Sequence, residues 1–183
     1  HDKVVDIAKK TAESYIVGDP TDEATQIGPL ANRAQFEKVM GILEDAEVAG
    51  LLPVLGGSEA IPRCNEGYYI QPTIFSNLSR DQFIANQEVF GPVLAVMPYK
   101  NLKEAIDIAN GTQYGLSAYI YAKDNATAEP IAQQMRCGMV HINGAPLAAE
   151  APFGGYKQSG NGREWGLYGL HEFLEVKAVM KTS

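Results

Sequence analysis

A carboxylate and an aromatic ring stand two residues apart in Gln87-Glu88-Val89-Phe90-Gly91-Pro92. In extended backbone both face the same side, with Gly-Pro fixing the chain behind them. Glu88 is then either a ligand-holding acid or a solvated acid beside a turn. The second stretch with chemical potential is Pro152-Phe153-Gly154-Gly155-Tyr156-Lys157-Gln158-Ser159-Gly160-Asn161-Gly162-Arg163-Glu164, which puts four glycines into a short loop ahead of a helix. Glycine supplies positive φ and close approach at a cost in chain entropy, so this loop carries backbone where side chains cannot fit.

A phosphate cradle would use such glycines, but the spacing rejects it. After Gly160 and Gly162 the dinucleotide fingerprint needs a glycine where Trp165 stands, one residue before Gly166. Gly155 and Gly160 have the separation of a P-loop, yet Asn161 and Gly162 occupy the places of its Lys and Ser/Thr. Neither cysteine reads as a nucleophile. Cys137 follows a predicted helix ending at Arg136, and a helix carboxyl end disfavours a thiolate. Cys64 lies in a polar loop and is expected to be exposed. His1, His141 and His171 show no metal-ligand spacing, so no metal site is expected and the bland reading of each is preferred.

The elements that must position these stretches are legible from periodicity. Val4, Val5, Ile7, Ala8 and Ala12 mark a helix over about 2–15, closed by Gly18-Asp19-Pro20. From Asn32 a second helix carries Phe36, Val39, Met40, Leu43 and Ala46 on one face, and Leu51–Leu55 reads as a short buried strand. Tyr68–Phe75 is aromatic and β-branched but interrupted by Pro72, so it is expected to be irregular or edge structure. Val93–Met97, Leu116–Ala122 and Met139–Ile142 read as strands. Between them lie a helix capped by Asn101, with Glu104 three residues on, and another capped by Asp124. Such alternation predicts an α/β fold with an open, mostly parallel twisted sheet and flanking helices. The ligand crevice of such a sheet lies beyond the carboxyl ends of its strands, where the glycine-rich loop emerges.

Composition bounds the function. With 45% hydrophobic and 20% charged residues, 183 residues suffice for one soluble domain with a sizeable core. A net charge of −7 without basic runs argues against nucleic acid, and no apolar run approaches a membrane span. Two cysteines are too few for a disulfide scaffold, which points to the cytoplasm. His1-Asp2-Lys3 enters a helical pattern with no starting Met, as expected for a piece of a longer chain.

Glu88-Val89-Phe90-Gly91-Pro92-Val93, Tyr114-Gly115-Leu116-Ser117, His141-Ile142-Asn143 and the run from Pro152 to Glu164, in that order, resemble the carboxyl-terminal part of the NAD(P)-dependent aldehyde dehydrogenases. Val17-Gly18-Asp19-Pro20, Gly28-Pro29-Leu30 and Glu175-Val176-Lys177 extend the resemblance over essentially the whole chain. It implies a partial catalytic domain over residues 1–174 and the start of an oligomerisation strand over 175–183. It also implies that an aldehyde is attacked by a cysteine thiolate, that hydride passes to a nicotinamide, and that water hydrolyses the thioester. By the same resemblance Glu88 holds the nicotinamide ribose with Phe90 beside it, and Gln35 and Lys38 are further cofactor contacts. Phe153 lines the substrate tunnel, and Glu164 helps relay protons.

Gln87 stands where the family has a second acid, which leaves Glu88 itself unaffected. The nucleophilic cysteine, the glutamate base and the cofactor domain are expected upstream of His1. The chain alone is therefore expected to be inactive and to bind NAD or NADP no more than weakly. A homodimer or homotetramer is implied for the parent protein. The alternative is a non-catalytic assembly or binding module that keeps the fold.

Overall fold

The computed structural model describes residues 1–61 and 67–182. Cys64, expected in an exposed loop, lies outside the described residues. The chain divides into two compact units, residues 1–98 and 99–183. Both are α/β, with parallel strand pairs and flanking helices.

The first unit is organised by α2 (Arg33–Val48), whose Asn32 side chain accepts a hydrogen bond from the Gln35 N–H at 2.9 Å and so caps the helix start. Its face at Val39, Ile42, Leu43 and Ala46 is buried with Ile70, Phe75, Leu78, Ile84 and Val89 in one core. The amino-terminal helix α1 (Asp2–Glu13) buries only Val5 of its apolar set and leaves Val4 and Ile7 exposed.

The strands of this unit depart from the sequence reading. Leu51–Leu55 forms no strand; Leu55 makes an isolated antiparallel bridge to Ile74, and Leu52 is exposed. Pro53, which has no N–H to donate, stands in the middle of that run. The segment demoted for Pro72 supplies instead β1 (Thr73–Phe75), buried at all three positions and hydrogen-bonded on both sides. Pro72 sits just before the strand, where its missing donor interrupts no ladder. β1 pairs in parallel with β2 (Val93–Ala95), whose Leu94 is 47% exposed rather than buried.

In the second unit α3 (Leu102–Asn110) starts as expected, with the Asn101 side chain accepting from the Glu104 N–H at 3.0 Å. The Glu104 carboxylate accepts from the Lys100 N–H at 2.6 Å, one residue short of a capping box. β3 (Ser117–Ile120) and β4 (Met139–Ile142) pair in parallel through α4 (Asn125–Ala132), capped by Asp124. α4 stops at Ala132, short of the expected Arg136. Among the described residues each unit thus carries one parallel strand pair, β1–β2 in the first and β3–β4 in the second. α5 (Gly166–His171) follows the glycine-rich loop, and residues 175–182 carry no regular structure.

The fully buried positions of this unit, among the described residues, are Gly115, Ala128, His141, Gly154, Gly155 and Gly169. Glycines thus form most of its interior. A unit built this way is held by backbone hydrogen bonds and close approach more than by apolar side chains.

Candidate functional site

The four expected cofactor residues meet at the amino-terminal half of α2, which carries Gln35 and Lys38 and holds the segment bearing Glu88 and Phe90. Gln35, Lys38 and Val39 share one helix face. The Gln35 amide donates to the carbonyls of Val89 and Phe90 at 3.2 and 2.8 Å, and the Lys38 ammonium donates to the Glu88 carbonyl at 3.2 Å. Gly91 lies against Val39, where an added Cβ would stand 3.1 Å from both methyls. Four consecutive residues of the Glu88–Gly91 segment are therefore held by one helix.

This platform explains the conformation of Phe90. Its φ of 60° is uncommon for a residue with a Cβ, and the hydrogen bonds to its own carbonyl and to those before it hold the chain there. Val89 is buried in the core, whereas Glu88 and Phe90 on either side are exposed, the ring by 72%. No side chain among the described residues pairs with the Glu88 carboxylate. An unpaired acid beside a free aromatic face suits a ligand that offers hydroxyl donors and a flat group. Gln35 and Lys38 spend their hydrogen bonds on the backbone of that segment.

The second set lies in the second unit. Phe153 and Glu164 exchange backbone hydrogen bonds of 2.8 and 2.7 Å, so the expected tunnel residue and the expected relay acid close the two ends of the glycine loop. The Phe153 ring meets Trp165 at 5.2 Å between centroids, tilted by 48°. Both line a cavity of about 250 Å³ with His141, Leu147, Ala148 and Pro152.

Within this loop one Arg163 amino group donates to the carbonyls of Gly155, Asn161 and Gly162 at 2.9, 3.1 and 2.9 Å, and the guanidinium lies over the Tyr156 ring. Lys157 donates to the carbonyls of Asn110 and Thr112 at 2.9 and 3.0 Å, closing the carboxyl end of α3. The Ser159 hydroxyl accepts from the Gly115 N–H. The glycines permit the packing: a Cβ on Gly138 would overlap the Gly154 carbonyl, and one on Gly154 would overlap that of Gly162.

Cys137 is half-buried and donates to the Met139 carbonyl at 3.1 Å. Burial pushes its thiol above the usual range, against the smaller opposing effects of the Met139 hydrogen bond and the Lys157 charge. α4 ends at Ala132, so the helix end expected beside Cys137 at Arg136 is not there.

The sequence model of the aldehyde dehydrogenase family matches residues 1–179. The chain belongs to the aldehyde dehydrogenase family. Among curated relatives it is 49% identical over 179 residues to 3-succinoylsemialdehyde-pyridine dehydrogenase of a Pseudomonas species, covering 98% of this chain and 38% of that protein. Among solved structures, aldehyde dehydrogenase C of Pseudomonas syringae, a mutant complexed with NAD+ and octanal, superposes with a TM-score of 0.94 at 42% identity, over 97% of this chain and 37% of that one. The aldehyde dehydrogenase of Mycobacterium tuberculosis complexed with NAD+ gives 0.89 at 38%, over 94% and 35%. The chain thus spans well under half the length of these relatives.

Sequence reasoning on this aldehyde dehydrogenase chain missed Arg163, Lys157 and Trp165. The first two had a readable signal: a glycine-rich loop crowds carbonyls that its own N–H groups cannot all satisfy, so nearby cations are drawn to them. Trp165 entered only as the residue that breaks a phosphate motif.

Proposed function

We propose that the full-length protein containing this chain oxidises an aldehyde to the carboxylic acid, with NAD or NADP as acceptor. The carrying observation is the Glu88–Phe90 pair, exposed on the α2 platform and without a side-chain partner among the described residues. Glu88 accepts hydrogen bonds from the ribose hydroxyls beside the nicotinamide, Phe90 flanks it, and Gln35 and Lys38 complete the site. The bound cofactor supplies the hydride acceptor. The relatives solved with NAD+ support this reading.

The aldehyde carbon is attacked by a thiolate supplied from outside this chain, giving a thiohemiacetal; loss of hydride leaves a thioester, and water hydrolyses it to the acid. Phe153 walls the aldehyde pocket and excludes water. Glu164, its backbone fixed by Phe153, carries a proton between the thioester site and solvent. The octanal bound to the Pseudomonas syringae enzyme supports an aldehyde substrate. Residues 1–174 form part of a catalytic domain, and residues 175–183 begin a strand that joins a neighbouring subunit in a cytoplasmic homodimer or homotetramer.

The chain on its own is inert in this reading, because the nucleophilic cysteine, the glutamate base and the cofactor domain are supplied from outside it. A non-catalytic assembly module is the second reading, favoured by one observation: Val176, Val179 and Met180 are exposed along the tail.

The test is aldehyde-dependent reduction of NAD and NADP by the full-length protein, with aliphatic and aromatic aldehydes. Turnover supports the enzyme reading, and no turnover with either cofactor would leave the assembly module. Calorimetry of this chain with NAD should show nothing tighter than millimolar; micromolar binding would refute its inertness toward the cofactor.

A further inference from the structure

Among the described residues of the second unit, His141 is the one buried titratable side chain, and neither the cofactor site nor the proton relay uses it. It sits on β4 directly opposite Tyr119 of β3, and the two rings stack at 4.6 Å between centroids and 12° between planes. Its Nδ1 lies 2.8 Å from the Ala145 carbonyl oxygen. A carbonyl only accepts, so Nδ1 carries the proton and donates.

The bond spans the sharp turn that ends β4. Asn143 and Gly144 both have positive φ, at 51° and 81°, and the Ala145 N–H returns to the Ile142 carbonyl at 3.0 Å. The Asn143 side chain accepts from the Ala122 N–H and donates to the Asn125 side chain. The turn is thus fixed to β3 by Asn143, while the segment leaving it is fixed to β4 by His141. Downstream, Ala145, Pro146, Leu147, Ala148 and Ala151 supply one wall of the cavity that Phe153 and Trp165 line.

We propose that His141 is a positioning residue: through its Nδ1–H bond to Ala145 it sets where the Ala145–Ala151 wall stands, and so the width of the cavity. That the cavity receives the aldehyde rests on the function proposed above; the positioning does not.

The test uses the full-length protein containing this chain, labelled with ¹⁵N. The ring nitrogen shifts of His141 should report the Nδ1–H form, and an Nε2–H ring would overturn the proposal. Two variants separate the donor from the ring. His141→Phe keeps the stack on Tyr119 and loses the donor, whereas His141→Asn loses the stack and keeps an N–H where Nδ1 stood. Amide exchange at Ala145, bonded to the Ile142 carbonyl, and at Ala151, bonded to that of Ala148, should speed up by about tenfold in His141→Phe and by less than about twofold in His141→Asn, while the β3–β4 amides stay protected. The reverse order would make His141 a packing residue and overturn the proposal. If both variants lose β3–β4 protection, the tautomer in the unaltered chain decides. None of these readouts needs turnover, so they stand whether or not the aldehyde reading does.

Discussion

Glu88 and Arg163 act through opposite parts of themselves: Glu88 presents its carboxylate while its carbonyl is held by Lys38, and Arg163 holds the carbonyls of other residues. Replacing Glu88 by Gln in the full-length protein removes charge without moving the backbone. Single-turnover measurements should then show hydride transfer slowed by up to about a hundredfold with thiohemiacetal formation unchanged, the effect of a loosened nicotinamide. An unchanged hydride-transfer rate would take Glu88 out of the cofactor site. Arg163→Ala leaves the carbonyl of buried Gly155 without its donor, and urea titration should show a loss of about 1–3 kcal/mol. Cys137 yields a pH prediction with a definite sign. Because burial raises the folded thiol above its unfolded value, its contribution to stability is present below the ordinary thiol pKa and is lost as pH rises through the raised one. Iodoacetamide should label Cys137 in the folded chain more slowly than a free thiol at neutral pH, and labelling as fast as a model thiol would contradict the burial.

At the scale of elements, the caps and the parallel β3–β4 pair were legible, and the partner of β2 was not. Asn101 and Asp124 were read from local spacing because a cap is decided within four residues. Asn101→Ala should cost the chain about 1 kcal/mol, seen as a lower denaturation midpoint with an unchanged slope. Hydrogen bonds from the Thr127 hydroxyl and then its N–H hold the Asp124 carboxyl below its usual value. Its stabilisation of α4 is therefore present above the unfolded carboxyl pKa and fades as pH falls through the depressed one. Leu51–Leu55 and Thr73–Phe75 went the other way. Each is a short apolar run near a proline, and only the position of that proline relative to the ladder, a tertiary fact, decides which becomes a strand. The glycine loop was legible as a shaped segment, but its shape is set by contacts with Gly138, Gly115 and the end of α3 far along the chain.

For the molecule as a whole, the two units differ in how they are held. The first has a connected apolar core around α2; the second buries mostly glycine and leaves Leu167, Tyr168, Phe173, Val176 and Met180 exposed, Val176 by 99%. An exposed apolar tail of this kind is a surface for association. Sedimentation of the chain should show concentration-dependent self-association, and removal of residues 175–183 should abolish it; a monomer at every concentration would argue against a strand-exchanging tail.

The sequence by itself determined the family, the helices, the caps and the identity of the exposed pair Glu88 and Phe90, because motif order, helical period and capping are properties of neighbours along the chain. Only the tertiary structure decided that Gln35 and Lys38 grip the backbone beneath that pair, that Phe153 and Glu164 clasp the glycine loop, and that His141 braces the turn after β4. The Gln35, Lys38 and His141 bonds each join a side chain to a backbone carbonyl, and the Phe153–Glu164 clasp joins backbone to backbone. Every residue offers the same carbonyl, so sequence gives no mark of which one will be chosen.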